Sequence, residues 1–287
     1  MSPSVKSSRP EFSDPEFCEA QYNNRLLVAN AAEHIERWGR WASEARGRLP
    51  FVLDIAYGPH PRERFDFLRA EGSRGLFVFI HGGYWRALSK AEFSWIAEPF
   101  AAAGCSVAVV NYPLCPEVSV GDIMGSVERA VARIWQHADA AERQHMVLSG
   151  HSAGGHLTAA LFTTGWTGFG LPPSPFVGGL PISGVFELEP IVHTSMNADI
   201  RLTPERARAF SVDERAPRVS APVLFAVGGA ESPEFVRQSA DQAQRWAALS
   251  GGRSYPIAGR NHFSVIDTLR DRGSELFTLA ERLLQGR

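Results

Sequence analysis

Residues 145–162 read HMVLSGHSAGGHLTAALF, and this stretch is the most informative about the class of fold. The apolar run HMVLSG is typical of a buried strand, and the residues that follow to position 164 predict a helix. Between them lies Gly-x-Ser-x-Gly, with Ser152 at its centre. The pattern alone is weak, because small-residue turns are common. At a junction of strand and helix it predicts a nucleophile elbow, in which Gly150 and Gly154 leave room for a sharp turn.

Strands and helices alternate on both sides of this motif. Eight strands are predicted, at 51–58, 64–70, 75–81, 105–112, 145–150, 176–184, 222–229 and 254–259. Helices of ordinary length fall between most of them, which predicts a mostly parallel sheet with helices on both faces. The first two strands are separated by a short loop, so we expect them to pair antiparallel at one edge.

The chain is expected to form one domain over residues 21–287, after a partly ordered N-terminal segment at 1–20. A helical pattern covers 21–46. Residues 185–217 show no clear strand, and they predict a small cap insertion. It would cover the carboxyl ends of the strands, where open α/β sheets bind ligands.

Composition narrows the class of function. Of 287 residues, 44% are hydrophobic and 21% charged, which excludes bulk disorder. The net charge of -2 and the absence of a Lys/Arg run exclude a nucleic-acid partner. No apolar run is long enough to span a membrane. Three cysteines without a Cys-x-x-Cys pair fit a reducing compartment, so we expect a cytoplasmic protein with a small-molecule substrate. A homo-oligomer is possible, but the sequence does not reveal it.

A serine nucleophile needs a base, and the base needs an orienting acid. On this kind of sheet the chain order is serine, acid, histidine. His262, in the loop GRNHF after the last strand, is the predicted base. His156 lies one turn into the elbow helix and His193 lies in the insertion, so both fit the role less well.

The predicted acid is Glu231, which directly follows the strand PVLFAVGG. Glu234 also follows that strand, but it is expected in the first turn of the next helix, where a carboxylate is favourable. Asp241 lies farther along the same helix. Glu231 itself has an alternative interpretation as a carboxylate at a helix start.

The oxyanion hole is predicted from two loops. One donor is the backbone N–H of Ala153, and the others are the N–H groups of Gly83 and Tyr84 in HGGYWR at 81–86. Glycine lets such a loop turn its amides inward without steric cost. His81 is expected to fix the loop by hydrogen bonding.

Four motifs together resemble the arylformamidase (kynurenine formamidase) group of α/β-hydrolases. They are HGGYW at 81–85, GHSAGGHL at 150–157, SGVFELEP at 183–190 and ESPEF at 231–235. The resemblance covers nearly the whole chain from position 22, and hormone-sensitive-lipase-like esterases are near relatives that usually carry HGGG. It implies the α/β-hydrolase fold, with Ser152 as nucleophile, His262 as base and Glu231 at the group's usual Asp position.

The resemblance also implies hydrolysis of N-formylkynurenine to kynurenine and formate, in tryptophan breakdown. Tyr84 and Trp85 are predicted to face the aryl group, although Trp85 has the alternative of packing under the loop. Ser183 is predicted to line the site or to cap the next segment. Arg86 is a candidate for contact with a substrate carboxylate, with exposure to solvent as the commoner alternative.

No cofactor is predicted and no metal, since no Cys/His cluster or His-Glu-x-x-His occurs. The main alternative is a general carboxylesterase acting on short-chain or aryl esters with the same residues. A third interpretation is a binding protein of this fold without turnover, against which the serine, the histidine and the two-part oxyanion motif argue.

Overall fold

The computed structural model describes residues 9–286. Within them one sheet contains eight strands in the order β1-β2-β4-β3-β5-β6-β7-β8. The strands are β1 (Val52–Ala56), β2 (Arg64–Leu68), β3 (Leu76–Ile80), β4 (Ser106–Val110), β5 (Met146–His151), β6 (Gly178–Ile182), β7 (Leu224–Gly228) and β8 (Arg253–Ile257). All eight predicted strands are present.

The sheet is mostly parallel. Strand β2 runs antiparallel to both of its neighbours, β1 and β4, while every other adjacent pair is parallel. The predicted α/β fold and the predicted antiparallel edge pair are therefore confirmed.

Helices flank the sheet, and the described residues contain twelve α-helices with six short 3-10 helices between them. The α-helices are α1 (Pro15–Tyr22), α2 (Asn24–Leu27), α3 (Ala31–Arg48), α4 (Ala97–Ala102), α5 (Val120–His137), α6 (Ala140–Gln144), α7 (Ala153–Phe162), α8 (Asn197–Ile200), α9 (Pro204–Phe210), α10 (Pro233–Ser250), α11 (Ser264–Asp267) and α12 (Glu275–Leu284). The 3-10 helices are Pro10–Ser13, Lys90–Glu92, Ser94–Ile96, Trp166–Phe169, Glu189–His193 and Thr268–Arg270.

Strand β3 explains why the sheet lies at the centre of the core. Leu76, Val78 and Ile80 pack into the apolar layer on one face, whereas Phe77 and Phe79 pack into the layer on the other. All five side chains are buried, as expected for a central parallel strand covered on both sides. The strand ends that carry functional loops are therefore held rigidly from both faces.

The N-terminal part of the chain differs from the predicted single helical pattern at 21–46. It is divided into α1, α2 and α3, with breaks at Asn23 and at residues 28–30. Asn23 and Asn30 are the residues that precede α2 and α3, and asparagine is a weak helix former. Of the expected N-terminal segment 1–20, residues 1–8 lie outside the described residues, while Phe12 and Cys18 are buried in the fold.

The segment predicted as an insertion, residues 185–217, contains the 3-10 helix Glu189–His193 together with α8 and α9. Several of its apolar side chains, among them Val185, Leu188 and Ile191, are buried. Across residues 9–286, no helix combines the length and the apolar character that a membrane crossing demands.

A pair of glycine substitutions tests the close packing of α7. A Cβ on Gly154 would lie 2.0 Å from the Ile80 carbonyl oxygen, whereas a Cβ on Gly39, in α3, would meet no atom within 4 Å. We expect Gly154→Ala to lower the free energy of unfolding by about 3 kcal/mol or more. Gly39→Ala should raise it by about 0.5–1 kcal/mol, because alanine loses less backbone entropy in a helix.

Urea denaturation followed by circular dichroism measures both changes. Equal stability of the Gly154→Ala variant and the wild type would contradict the tight backbone approach.

Candidate active site

The predicted catalytic residues meet at one edge of the sheet. Ser152 directly follows β5, Glu231 follows β7 and His262 follows β8, while the loop at 81–86 follows β3. Because the carboxyl ends of parallel strands share an edge, residues far apart in sequence come together here. Ser152 and His262 line the same pocket.

Ser152 has the backbone of a nucleophile elbow. Its φ of 57° and ψ of -118° lie in a region that non-glycine residues rarely adopt. Its N–H donates to the Ile182 carbonyl at 2.8 Å, which ties the turn to the neighbouring strand. Helix α7 begins at the next residue, so its positive end faces the serine.

The Glu231 carboxylate orients the His262 ring. The His262 Nδ1 to Glu231 Oε2 distance is 2.7 Å, and both side chains are almost fully buried. Since a carboxylate only accepts hydrogen bonds, Nδ1 carries the proton. The lone pair of Nε2 is therefore available to accept a proton from the serine.

The second oxygen of Glu231 is also held by hydrogen bonds. Oε1 accepts hydrogen bonds from the Gly228 N–H at 2.7 Å and from the Ser183 hydroxyl at 2.5 Å. The longer side chain thus folds back over its own turn, and its extra methylene is absorbed there. These bonds fix the carboxylate plane that faces His262.

His151, which sequence reasoning did not single out, supports the histidine from the other side. Its Nε2 donates to the His262 carbonyl oxygen at 2.7 Å. Burial and then the charge of neighbouring His262 hold the pKa of His151 well below its ordinary value. His151 therefore remains neutral and anchors the backbone of His262 without adding a second positive charge.

The alternative acids have other partners. Glu234 accepts a hydrogen bond from the Tyr22 hydroxyl and pairs with Arg237, and Asp241 pairs with the same arginine. His156, an alternative base, is fully buried and its Nε2 donates to the Phe210 carbonyl of α9. Burial lowers its pKa to about 4.

The loop after β3 has a strained backbone that exposes amides. Gly83, Tyr84 and Trp85 have φ angles of 109°, 47° and 55°. A Cβ on Gly83 would lie 2.1 Å from the Ala87 carbonyl oxygen, so only glycine fits. Within residues 9–286, the N–H groups of Gly83, Tyr84 and Ala153 have no hydrogen-bond partner. They are the donors predicted for the oxyanion hole.

Two buried side chains hold this loop in place. His81 contacts the Gly82 carbonyl through Nδ1 at 2.7 Å, and burial lowers its pKa to about 3. The Tyr112 hydroxyl donates to the His81 carbonyl at 2.9 Å. The neutral His81 thus acts as a loop anchor, in agreement with the interpretation from sequence.

Of the three predicted substrate-binding residues, Tyr84 alone lines the pocket. Its hydroxyl donates to the Tyr22 carbonyl at 2.6 Å, and burial raises its pKa well above the ordinary value. Trp85 does not line the pocket: the ring is fully buried and packs edge-on against His156, with centroids 5.2 Å apart, so its contact with a substrate stays a prediction. Ser183 does not line it either and donates a hydrogen bond to Glu231, so its contact with a substrate also stays a prediction.

Other parts of the chain supply the pocket walls. Trp38 from α3 and Phe263 beside the base line it, with ring centroids 5.9 Å apart. Asn24 and Arg25 of α2 line it as well. No local motif marks these residues, because only the tertiary fold brings the N-terminal helices to the site. Arg86 also lines the pocket and is paired with Asp199.

Metal ligands do not cluster in the part of the chain that the structure describes: no three His, Cys, Asp or Glu side chains are placed to hold an ion. A metal-free mechanism stays a prediction.

Comparison with known proteins extends the geometric picture. A family model described as the α/β-hydrolase fold matches residues 77–211. The chain is 29% identical to a kynurenine formamidase from Danio rerio over 98% of this chain and 97% of that protein. It is 27% identical to one from Salmo salar over 94% of each. A solved structure of a candidate thioesterase from Silicibacter sp. TM1040 is 34% identical, with a TM-score of 0.82 over 92% of this chain and 99% of that one.

A serine pair separates positioning of the acid from general stability. Ser183→Ala removes a hydroxyl that donates to Glu231, and Ser149→Ala removes one that donates to the Leu180 carbonyl at 2.7 Å. Both serines are fully buried. We expect each change to lower the free energy of unfolding by about 1 kcal/mol. Only Ser183→Ala should also lower kcat, by about ten-fold, because the carboxylate loses a fixed orientation.

Steady-state kinetics with an aryl ester and urea denaturation provide the two readouts. Equal losses of kcat in the two variants would contradict a positioning role for Ser183.

Proposed function

The chain belongs to the α/β-hydrolase family, and on that premise we propose that it removes the formyl group from N-formylkynurenine or a closely similar N-formyl arylamine. Ser152 is the nucleophile, His262 the base and Glu231 the orienting acid. The N–H groups of Gly83, Tyr84 and Ala153 form the oxyanion hole. The observation that carries the proposal is the 2.7 Å contact between Glu231 and His262, the histidine that lines one pocket with Ser152.

Two further observations support this substrate class. The similarity to the two kynurenine formamidases extends over nearly the whole of both chains. An arylamine leaving group also fits the walls of the pocket, where Trp38 and Phe263 offer ring surfaces. A formyl group has no carbon chain, so it needs little space beside the oxyanion donors.

The first half of the reaction forms a formyl-enzyme. Ser152 Oγ attacks the formyl carbon while His262 Nε2 takes the hydroxyl proton. The negative charge that develops on the carbonyl oxygen is stabilised by the loop amides and by the N–H of Ala153. Each donor of this kind contributes about 3–4 kcal/mol to the transition state. Glu231 stabilises the imidazolium without itself taking the proton.

Collapse of the tetrahedral intermediate breaks the C–N bond. His262 returns its proton to the departing nitrogen, a step that an amide needs more than an ester does because the amine anion is a poor leaving group. Water then attacks the formyl-enzyme while His262 again acts as base. Formate leaves and Ser152 recovers its proton.

A second candidate function is hydrolysis of short or aryl esters, including thioesters. The similarity to the Silicibacter protein described as a candidate thioesterase favours it. This reaction would use the same three residues, Ser152, Glu231 and His262. It would depend less on protonation of the leaving group than amide hydrolysis does. For the compartment we propose the cytoplasm, because all three cysteines are free and buried.

Substrate turnover beside a serine pair tests both the chemistry and the nucleophile. We expect the wild type to release free arylamine from N-formylkynurenine, measured by the absorbance of the amine. Ser152→Ala should lower kcat by about 10⁵–10⁶-fold, since the oxyanion donors alone leave only a small residual rate. The control is Ser220→Ala, which alters an exposed hydroxyl and should leave turnover unchanged.

The ester interpretation is tested in the same assay with p-nitrophenyl esters of graded acyl length. Cleavage of esters without detectable release of arylamine would contradict the formamidase proposal and support the esterase candidate. Activity that persists in Ser152→Ala would overturn the assignment of the nucleophile.

A further inference from the structure

One wall of the catalytic pocket carries polar groups that the mechanism above does not use. Asn24, in α2, lines the pocket and is buried, with a relative exposure of 4%. Its Nδ2 has no hydrogen-bond partner among residues 9–286. A buried amide donor without a partner costs free energy that folding does not recover. Such a group is therefore a candidate for contact with a bound molecule.

The next residue adds a positive charge at the same place. Arg25 lines the pocket and is exposed at its rim. Across the described residues its guanidinium has no ion pair or hydrogen bond. Partial burial, and then the charge of Arg86, lower its pKa from the ordinary value, as expected for a cation without a compensating anion.

The other charges near this wall are already paired. Arg86 is neutralised by Asp199. The Glu19 carboxylate accepts hydrogen bonds from the Asn23 side chain at 2.6 Å and from the Ser195 hydroxyl at 2.7 Å. The wall thus offers one unpaired cation beside one unpaired neutral donor.

These two groups share a chemical requirement. A guanidinium and an amide NH₂ both donate hydrogen bonds, and a guanidinium cannot accept one. The ligand that satisfies both is an anionic group with two acceptor oxygens, and a carboxylate has that geometry.

We propose that Asn24 and Arg25 form a carboxylate-binding subsite, which selects substrates whose leaving arylamine carries a carboxylate remote from the scissile bond. The inference rests on the proposed function for the identity of the leaving group. In binding, the Asn24 amide donates from the buried side and Arg25 closes over the carboxylate from the rim.

The position of this subsite relative to the reacting bond is fixed by the fold. Tyr22, the residue at the end of α1, accepts the hydrogen bond from the Tyr84 hydroxyl at 2.6 Å. This hydrogen bond therefore ties the oxyanion loop to the chain two residues before Asn24, the first residue of α2. A substrate bound through its carbonyl at the oxyanion loop and through its carboxylate at the subsite is positioned for attack. We therefore expect a lower KM for substrates that carry the carboxylate.

Binding affinity, measured without turnover, tests the subsite separately from the reaction. Isothermal titration calorimetry gives Kd for kynurenine and for its carboxamide, which differ only in the carboxylate. We expect the wild type to bind kynurenine about ten-fold more tightly than the carboxamide, as a charge-assisted contact provides. Arg25→Gln should bring the ratio close to one, Arg25→Lys should keep most of it, and Asn24→Ala should reduce it.

The matched control is Arg40→Gln, which removes an exposed arginine that pairs only with Glu36 on the same helix. It should keep the wild-type ratio. Equal affinity of the wild type for both compounds, or an unchanged ratio in Arg25→Gln, would overturn the subsite. A wild type that prefers kynurenine but does not hydrolyse N-formylkynurenine would support the subsite and contradict the proposed function.

Discussion

The first turn of α7 passes so close to the end of β3 that only a glycine at position 154 fits under the Ile80 carbonyl. Because β3 and β5 are adjacent parallel strands, this approach sets the serine and the loop after β3 side by side. The proposed nucleophile, Ser152, and the proposed oxyanion donors are thus positioned by contact between backbone atoms. The other two predicted catalytic residues, Glu231 and His262, follow β7 and β8 at the same edge of the sheet.

The sequence predicts those parts of the site that local motifs encode. The elbow, the glycine loop, Glu231 and His262 each follow a strand in the expected order, and the structure brings them to one edge. The sequence does not show that the Trp85 and Ser183 side chains are buried away from the pocket, because the direction of a side chain on a strained loop depends on tertiary packing. Asn24 and Arg25 carry no local signal, since they reach the pocket only through the fold of the N-terminal helices.

Glu231, the proposed acid, has one methylene more than an aspartate, and the turn after β7 accommodates it. The carboxylate bends back to accept the N–H of Gly228, so its own loop supplies the hydrogen bond that fixes it. The Ser183 hydroxyl, just after β6, donates a second hydrogen bond to the same oxygen. The imidazole of His262 donates to the other carboxylate oxygen. The carboxylate is therefore held by three neighbours from three segments of the chain.

The hydrogen bond from Tyr84 to the Tyr22 carbonyl joins the catalytic loop to a segment near the start of the chain. That segment contributes a wall of the pocket but no strand of the sheet and no member of the triad. With the proposed subsite and triad, leaving-group preference and catalysis are encoded in separate stretches of sequence. Grafting residues 9–30 from a relative onto this scaffold is thus a route to new substrate range, in evolution as in protein engineering.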